Sequence, residues 1–206
     1  MANQVYELLI WLPAILIALT FHEYAHARVA DVLGDDTPYY QGRLTLNPLP
    51  HIDWIGFLLL VLVHFGWAKP VQVNPLNFRG VNMRTGMMLV SLAGPLMNIL
   101  LAIIGLLLLK YLPLVMTGEN LYMLARLLEP LVWINVILAA FNLIPVPPLD
   151  GSKILAGLLP PRGAEFFDRL EPYGTIILLL LIVTGTVGTV LYPFIYAIMG
   201  VLRLVV

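Results

Sequence analysis

Residues 8–30 read LLIWLPAILIALTFHEYAHARVA, and the fold turns on this stretch. It supplies the roughly 20 apolar residues that one helix needs to cross a bilayer, yet its last turns carry His22, Glu23, His26 and Arg28. Ionisable groups there are costly unless a partner, a water path or a metal uses them. His22-Glu23-Tyr24-Ala25-His26 is HExxH. On a helix, imidazoles four residues apart lie one above the other and can both reach a single zinc ion. Glu23 sits beside them, able to take a proton from a water held by that ion. The bland alternative is a pair of histidines hydrogen-bonded across helices, with Glu23 paired to Arg28.

Composition widens the first inference to the whole chain. Of 206 residues, 60% are hydrophobic and 11% charged, against roughly a quarter charged in a soluble domain. The chain therefore reads as integral to a membrane, which excludes a soluble zincin. Eleven Lys and Arg against twelve Asp and Glu leave a net charge of -1, with no basic excess for nucleic acid. There is no cysteine, so disulfides, thiolate nucleophiles and cysteine metal sites are excluded. The N-terminal run has no basic flank before it and no small-x-small site after it, and reads as a retained span. The length points to one membrane domain over residues 1–206, with short loops.

Beyond Asp31, the residues Gly34, Asp35, Asp36 and Pro38 mark a polar turn region. GRLTLN, residues 42–47, alternates Leu44 and Leu46 with Arg43, Thr45 and Asn47, which predicts a short strand. Ile52–Phe65 is apolar but too short to cross, and predicts a re-entrant dip. Val71 and Val73 suggest a second brief strand. Thr85–Leu109 is an uncharged span containing SLAGPLMN, and the next apolar run starts weakly around Arg126, Glu129 and Pro130 and is clean from Leu131 to Pro145. Tyr173–Val206 is one long tilted helix or two short ones. The expected fold is an all-α polytopic bundle of four or five spans, with a short β-strand and re-entrant insertion between the first and second main spans. If the dip returns, segments 28–50, 66–84 and 153–169 share a side and hold most of the Lys and Arg, which makes that side cytoplasmic.

Catalytic zinc takes three protein ligands and keeps a position for water. His51 and His64 are candidates, but neither sits at the end of a helix that packs on the first. Asp150 is better placed, because it follows a membrane segment near its cytoplasmic end and precedes a glycine. Its bland reading is the cap of a helix starting at Gly151 or Ser152. Two histidines and a carboxylate match a hydrolytic zinc site. A metal transporter would spread ligands along a path and carry paired halves, and no repeat is visible here. A scaffolding protein would leave both motifs idle.

These motifs resemble those of the site-2 protease family, the intramembrane zinc metalloproteases, in its compact members without PDZ or CBS domains. The first signature is FHEYAHARVAD, and the second runs through Asn142, Pro145, Pro147, Pro148, Leu149, Asp150 and Gly151. GRLTLNPLPHID, GWAKPVQVNP and SLAGPLMN extend the likeness over residues 15–174. Trp54 stands where the family usually has proline, and the dip before GWAKP is shorter than usual. The resemblance implies one zinc per chain, held by His22, His26 and Asp150, with Glu23 activating water. It implies that Asn142 supports the substrate or developing oxyanion, with Asn135 as a second recurrent asparagine beside it. Asn98 is left to helix packing, and His51 and Asp53 to either support or loop structure. The implied substrate is a transmembrane or membrane-associated protein, cut in the plasma membrane of a prokaryotic cell near the cytoplasmic side. A helix protects its own peptide bonds, so the substrate must unwind, and Leu44 and Leu46 would lie on the strand that docks it by strand addition.

Overall fold

The apolar run at the start folds as a single helix, α1 (Ala2–Val32), in the computed structural model, which describes residues 2–63 and 66–205. A one-turn helix, α2 (Thr37–Tyr40), follows the polar turn, and α3 (Trp54–Val63) forms the apolar segment after it. Asn82 opens α4 (Met83–Tyr111) by accepting the Thr85 N–H at 2.9 Å. Then come α5 (Glu119–Asn142), α6 (Asp150–Leu158), α7 (Pro161–Leu170), α8 (Gly174–Val183) and α9 (Thr186–Val205). Among the described residues four helical segments are long and apolar enough to cross a membrane: Leu9–Val32, Met83–Leu114, Glu119–Asn142 and Thr186–Leu204. The C-terminal run is thus two helices, because α8 has ten residues and is only about 15 Å long.

Asn98 on α4 reaches the Ala18 carbonyl of α1, while His26 reaches Val90. The same Asn98 bonds Asn135 of α5, and Gly105 lies against Val132. As the α1 numbers rise the α4 numbers fall, and α5 repeats the pattern. So α4 runs antiparallel between two helices that run the same way. Glu7 and Arg126, 3.5 Å apart, tie α1 to α5 at the end far from His26. Lipid offers no hydrophobic drive between helices, so close packing of small residues holds them. Ala102, Ala139 and Ala140 are fully buried between α4 and α5, and Leu202 of α9 closes on the same cluster. This arrangement brings the C-terminal ends of α1 and α5 to one side, together with the N-terminal half of α4.

The insertion between α1 and α4 corrects one expectation and keeps another. Ten residues of α3 span about 15 Å against a core of about 30 Å, so this helix cannot cross. His64 lies outside the described residues. The strand expected at 42–47 does not form: Leu44, Thr45 and Leu46 are a series of bends, and Val71 and Val73 gain no ladder. Among the described residues the strand-like pairing is one isolated antiparallel bridge, Ile52 to Ala68. Arg43 is the reason. Instead of facing water as the alternation predicts, its guanidinium is buried and donates to the carbonyls of Pro50 and Lys69. The chain curls around that charge, and Leu46 is left exposed. Leu44 and Leu46 therefore have no ladder here on which to dock a substrate.

Candidate metal centre

His22 and His26 lie one turn apart on α1, and each has one ring nitrogen already committed. His22 Nδ1 bonds Asn98 Oδ1 at 2.7 Å, and His26 Nδ1 bonds the Val90 carbonyl at 2.7 Å. Asn98 is oriented by donating Nδ2 to Ala18 O at 3.1 Å and to Asn135 Oδ1 at 2.7 Å. Asn135 is itself fixed by donating to Leu131 O at 2.8 Å. Both partners of the Nδ1 atoms are oxygen acceptors, so both Nδ1 atoms carry the proton and both Nε2 atoms present lone pairs. Those Nε2 atoms are 3.0 Å apart, and Asp150 Oδ2 lies 3.3 Å from each. Asp150 Oδ2 is buried and has no hydrogen-bond partner.

Three converging lone pairs repel one another unless a cation sits among them. Tetrahedral zinc with ligands at about 2.0–2.1 Å sets ligand atoms about 3.3 Å apart, which these three separations match. His22, His26 and Asp150 could therefore hold such an ion. The sequence makes room for it in two places. A Cβ on Gly94 would lie 2.5 Å from His22 Cε1 and His26 Nε2, so only glycine lets α4 pass this close. After α5 a proline-rich turn returns the chain at Asp150, and a Cβ on Gly151 would meet the Leu143 carbonyl at 2.3 Å. The LDG glycine thus seats the start of α6 against the end of α5.

Glu23 is buried beside this cluster. Its Oε2 accepts the Val71 N–H at 2.9 Å, and the Arg43 guanidinium stands 3.9 Å away. The alternative pairing with Arg28 does not occur, because Arg28 bonds Asp31 at 2.7 Å. Asn142 is half-buried at the last turn of α5, where its Nδ2 donates to Leu138 O at 3.1 Å. Asn135 lies behind His22 in the α4–α5 packing. His51 is buried with Nε2 on Thr45 O at 2.9 Å. Burial lowers its pKa and nearby Arg43 adds to this, outweighing the opposing Thr45 bond and Glu23. Asp53 caps α3 by accepting the Ile55 and Gly56 N–H groups. Asn98, left to helix packing on sequence grounds, is the group that orients His22. Its signal was an amide inside an otherwise uncharged span, where a polar group needs a partner. Arg43 and Val71 gave no comparable signal, because their contacts with Glu23 arise from loop closure.

Residues 115–184, which include Asn142 and Asp150, match peptidase family M50. The chain is 42% identical over 190 residues to the Bacillus subtilis (strain 168) protein named "Putative zinc metalloprotease YwhC", covering 89% of this chain and 84% of that one. It is 28% identical over 184 residues to "Putative zinc metalloprotease Rip2" of Mycolicibacterium smegmatis, covering 88% and 69%. The protein of that name in Mycobacterium tuberculosis (strain ATCC 25618 / H37Rv) is 28% identical over 198 residues, again covering 88% and 69%. No solved structure gives a significant match. The HExxH helix lies outside the family match but within a site whose other half that match contains, and the chain belongs to peptidase family M50, the zinc-dependent site-2 proteases.

Proposed function

We propose that the chain cuts peptide bonds of membrane-embedded proteins, with His22, His26 and Asp150 as the zinc ligands and Glu23 as the general base. The observation that carries this reading is the convergence of two lone-pair Nε2 atoms on a buried, unpartnered carboxylate oxygen. Zinc, when bound, supplies Lewis acidity, lowering the pKa of water and polarising a carbonyl. Asn98 and the Val90 carbonyl keep both Nε2 lone pairs turned inward. Glu23 accepts a proton from the attacking water and returns it to the leaving amine. The Val71 N–H and Arg43 hold its carboxylate in place. Asn142, released from Leu138 O, offers an amide N–H to the developing oxyanion. The substrate helix must unwind to reach these groups, because a helix satisfies and shields its own backbone.

The site faces the cytoplasm in this reading, since the loops at the His26 end of the bundle carry most of the Lys and Arg. The chain has no cysteine, so single cysteines at Lys153 and Lys110 can be labelled from each side of sealed vesicles. Labelling of position 153 from the outer side would overturn that orientation. The direct test pairs zinc content with cleavage of a single-span substrate in liposomes, for wild type and Glu23→Gln. One zinc per chain in both proteins is expected, with cleavage reduced by about 10²–10⁴-fold in the variant. Full cleavage by Glu23→Gln would remove it as the base, and absence of zinc from wild type would overturn the site.

A further inference from the structure

A cavity of about 180 Å³ lies between α1, α3 and α5, and the reaction sketched above does not use it. Its walls are mostly apolar, with Leu16, Phe57, Leu60, Ile134 and Leu138 prominent and Thr20, His51 and Asp53 among the polar residues. Four separate pieces of chain run from this cavity to the proposed catalytic groups. On α1, Thr20 lines it, and Glu23 is three residues further on the same face. On α5, Leu138 lines it, and its carbonyl accepts the Asn142 amide. Ala68 lines it, and three residues later Val71 donates to Glu23. His51 lines it, in the loop that Arg43 ties together next to Glu23. The cavity therefore adjoins the position where a peptide bond would be attacked.

Its size and chemistry select an occupant. An engineered apolar cavity of about 150 Å³ takes up benzene, so this one has room for a leucine or phenylalanine side chain. An unwound peptide brings an apolar side chain to such a space. We propose that this cavity is the side-chain subsite of the protease, receiving a large apolar residue next to the scissile bond. The assignment rests on the proteolytic reading above.

The test uses full-length enzyme in liposomes and a single-span substrate whose cleavage point is mapped by mass spectrometry. The residues on either side of that point are changed in turn to Ala, Leu, Phe and Asp. At one flank Leu or Phe should exceed Ala in kcat/KM by about tenfold or more, and Asp should be the poorest. Leu138→Phe, which fills the cavity, should collapse the Leu-over-Ala ratio at that flank. Phe57→Ala, which enlarges it, should move the preference towards Phe. Equal rates for all residues at both flanks would overturn the subsite, as would a ratio unchanged in both variants. The scan on wild type alone decides the matter if either variant misfolds. If wild type cuts no substrate, the proteolytic reading falls and takes the subsite with it; if it cuts without side-chain preference, only the subsite falls.

Discussion

Asp35 and Asp150 are both carboxylates withdrawn from solvent, and their surroundings are opposite. Asp35 is fully buried and satisfied by four donors: the Thr37 N–H, the Thr37 hydroxyl, the Asn74 N–H and the Asn77 amide. Asp150 keeps a buried oxygen with no hydrogen-bond partner, 3.3 Å from two imidazole nitrogens. A buried acceptor left unmade costs about 1–3 kcal/mol, more when charged. The fold bears that cost at Asp150 and avoids it at Asp35. One carboxylate closes a loop, and the other has the surroundings of the proposed cation ligand.

The largest separation between them should come from removing each charge. Asp150→Asn is expected to weaken zinc binding by more than about a hundredfold, beyond the range seen for groups that only support ligands. Its amide can donate to an Nε2 lone pair, so the metal-free variant should unfold no earlier than the metal-free wild type. Zinc titration against a chelator, with thermal unfolding in detergent, checks both halves. Unchanged affinity would mean that Asp150 is no ligand.

Asp35→Asn should reverse the pattern, keeping one zinc per chain and losing about 2 kcal/mol of stability, the scale of hydrogen bonds to a charged acceptor. Burial raises the Asp35 pKa, but its bonds to Thr37, Asn77 and Asn74 more than offset this and leave it below normal. The sign follows: the stabilisation is complete above the unfolded carboxylate pKa of about 4 and is lost as pH falls through the folded value. Wild type should therefore lose more stability than Asp35→Asn on acidification, as read by unfolding midpoints at pH 7 and pH 3. Parallel midpoints would place the acid sensitivity elsewhere.

A smaller effect should come from Asn98, which acts through His22. Asn98→Leu removes the acceptor that fixes the Nδ1–H tautomer, and zinc affinity should fall about 10–100-fold. Nitrogen NMR of the His22 ring should show the tautomer preference weakened, a change that loss of helix packing alone would not produce. Asn98→Asp retains the acceptor and should recover most of the affinity. If Leu and Asp behave alike, Asn98 serves only the packing of α4 on α5.

What could be read from the sequence follows the range of each contact. HExxH is legible because helix geometry alone brings His22 and His26 together. Asp150 is legible because Gly151 and the prolines before it are local signs of a turn. The His22–Asn98 and Glu23–Val71 bonds join residues 76 and 48 positions apart, and no local period encodes them. The strand at 42–47 was misread for a related reason. Alternation assumes that the charged residue faces water, whereas Arg43 finds the Pro50 and Lys69 carbonyls inside the loop.

That misreading sets up the smallest expected effect, and the one that most sharply separates a built loop from a docking strand. Leu46 is exposed, and its backbone N–H has no ladder bond to lose. Leu46→Pro should therefore change cleavage by less than about twofold, because proline is costly in a sheet chiefly where it removes a ladder donor. Arg43→Met should be far more damaging, since it removes the donors that hold the Pro50 and Lys69 carbonyls and the positive charge beside Glu23. Measured on one substrate, the two variants rank the alternatives. A large loss with Leu46→Pro and little with Arg43→Met would mean that residues 42–47 straighten into a strand when substrate arrives. The opposite ranking would make Arg43 the element that shapes the approach to Glu23.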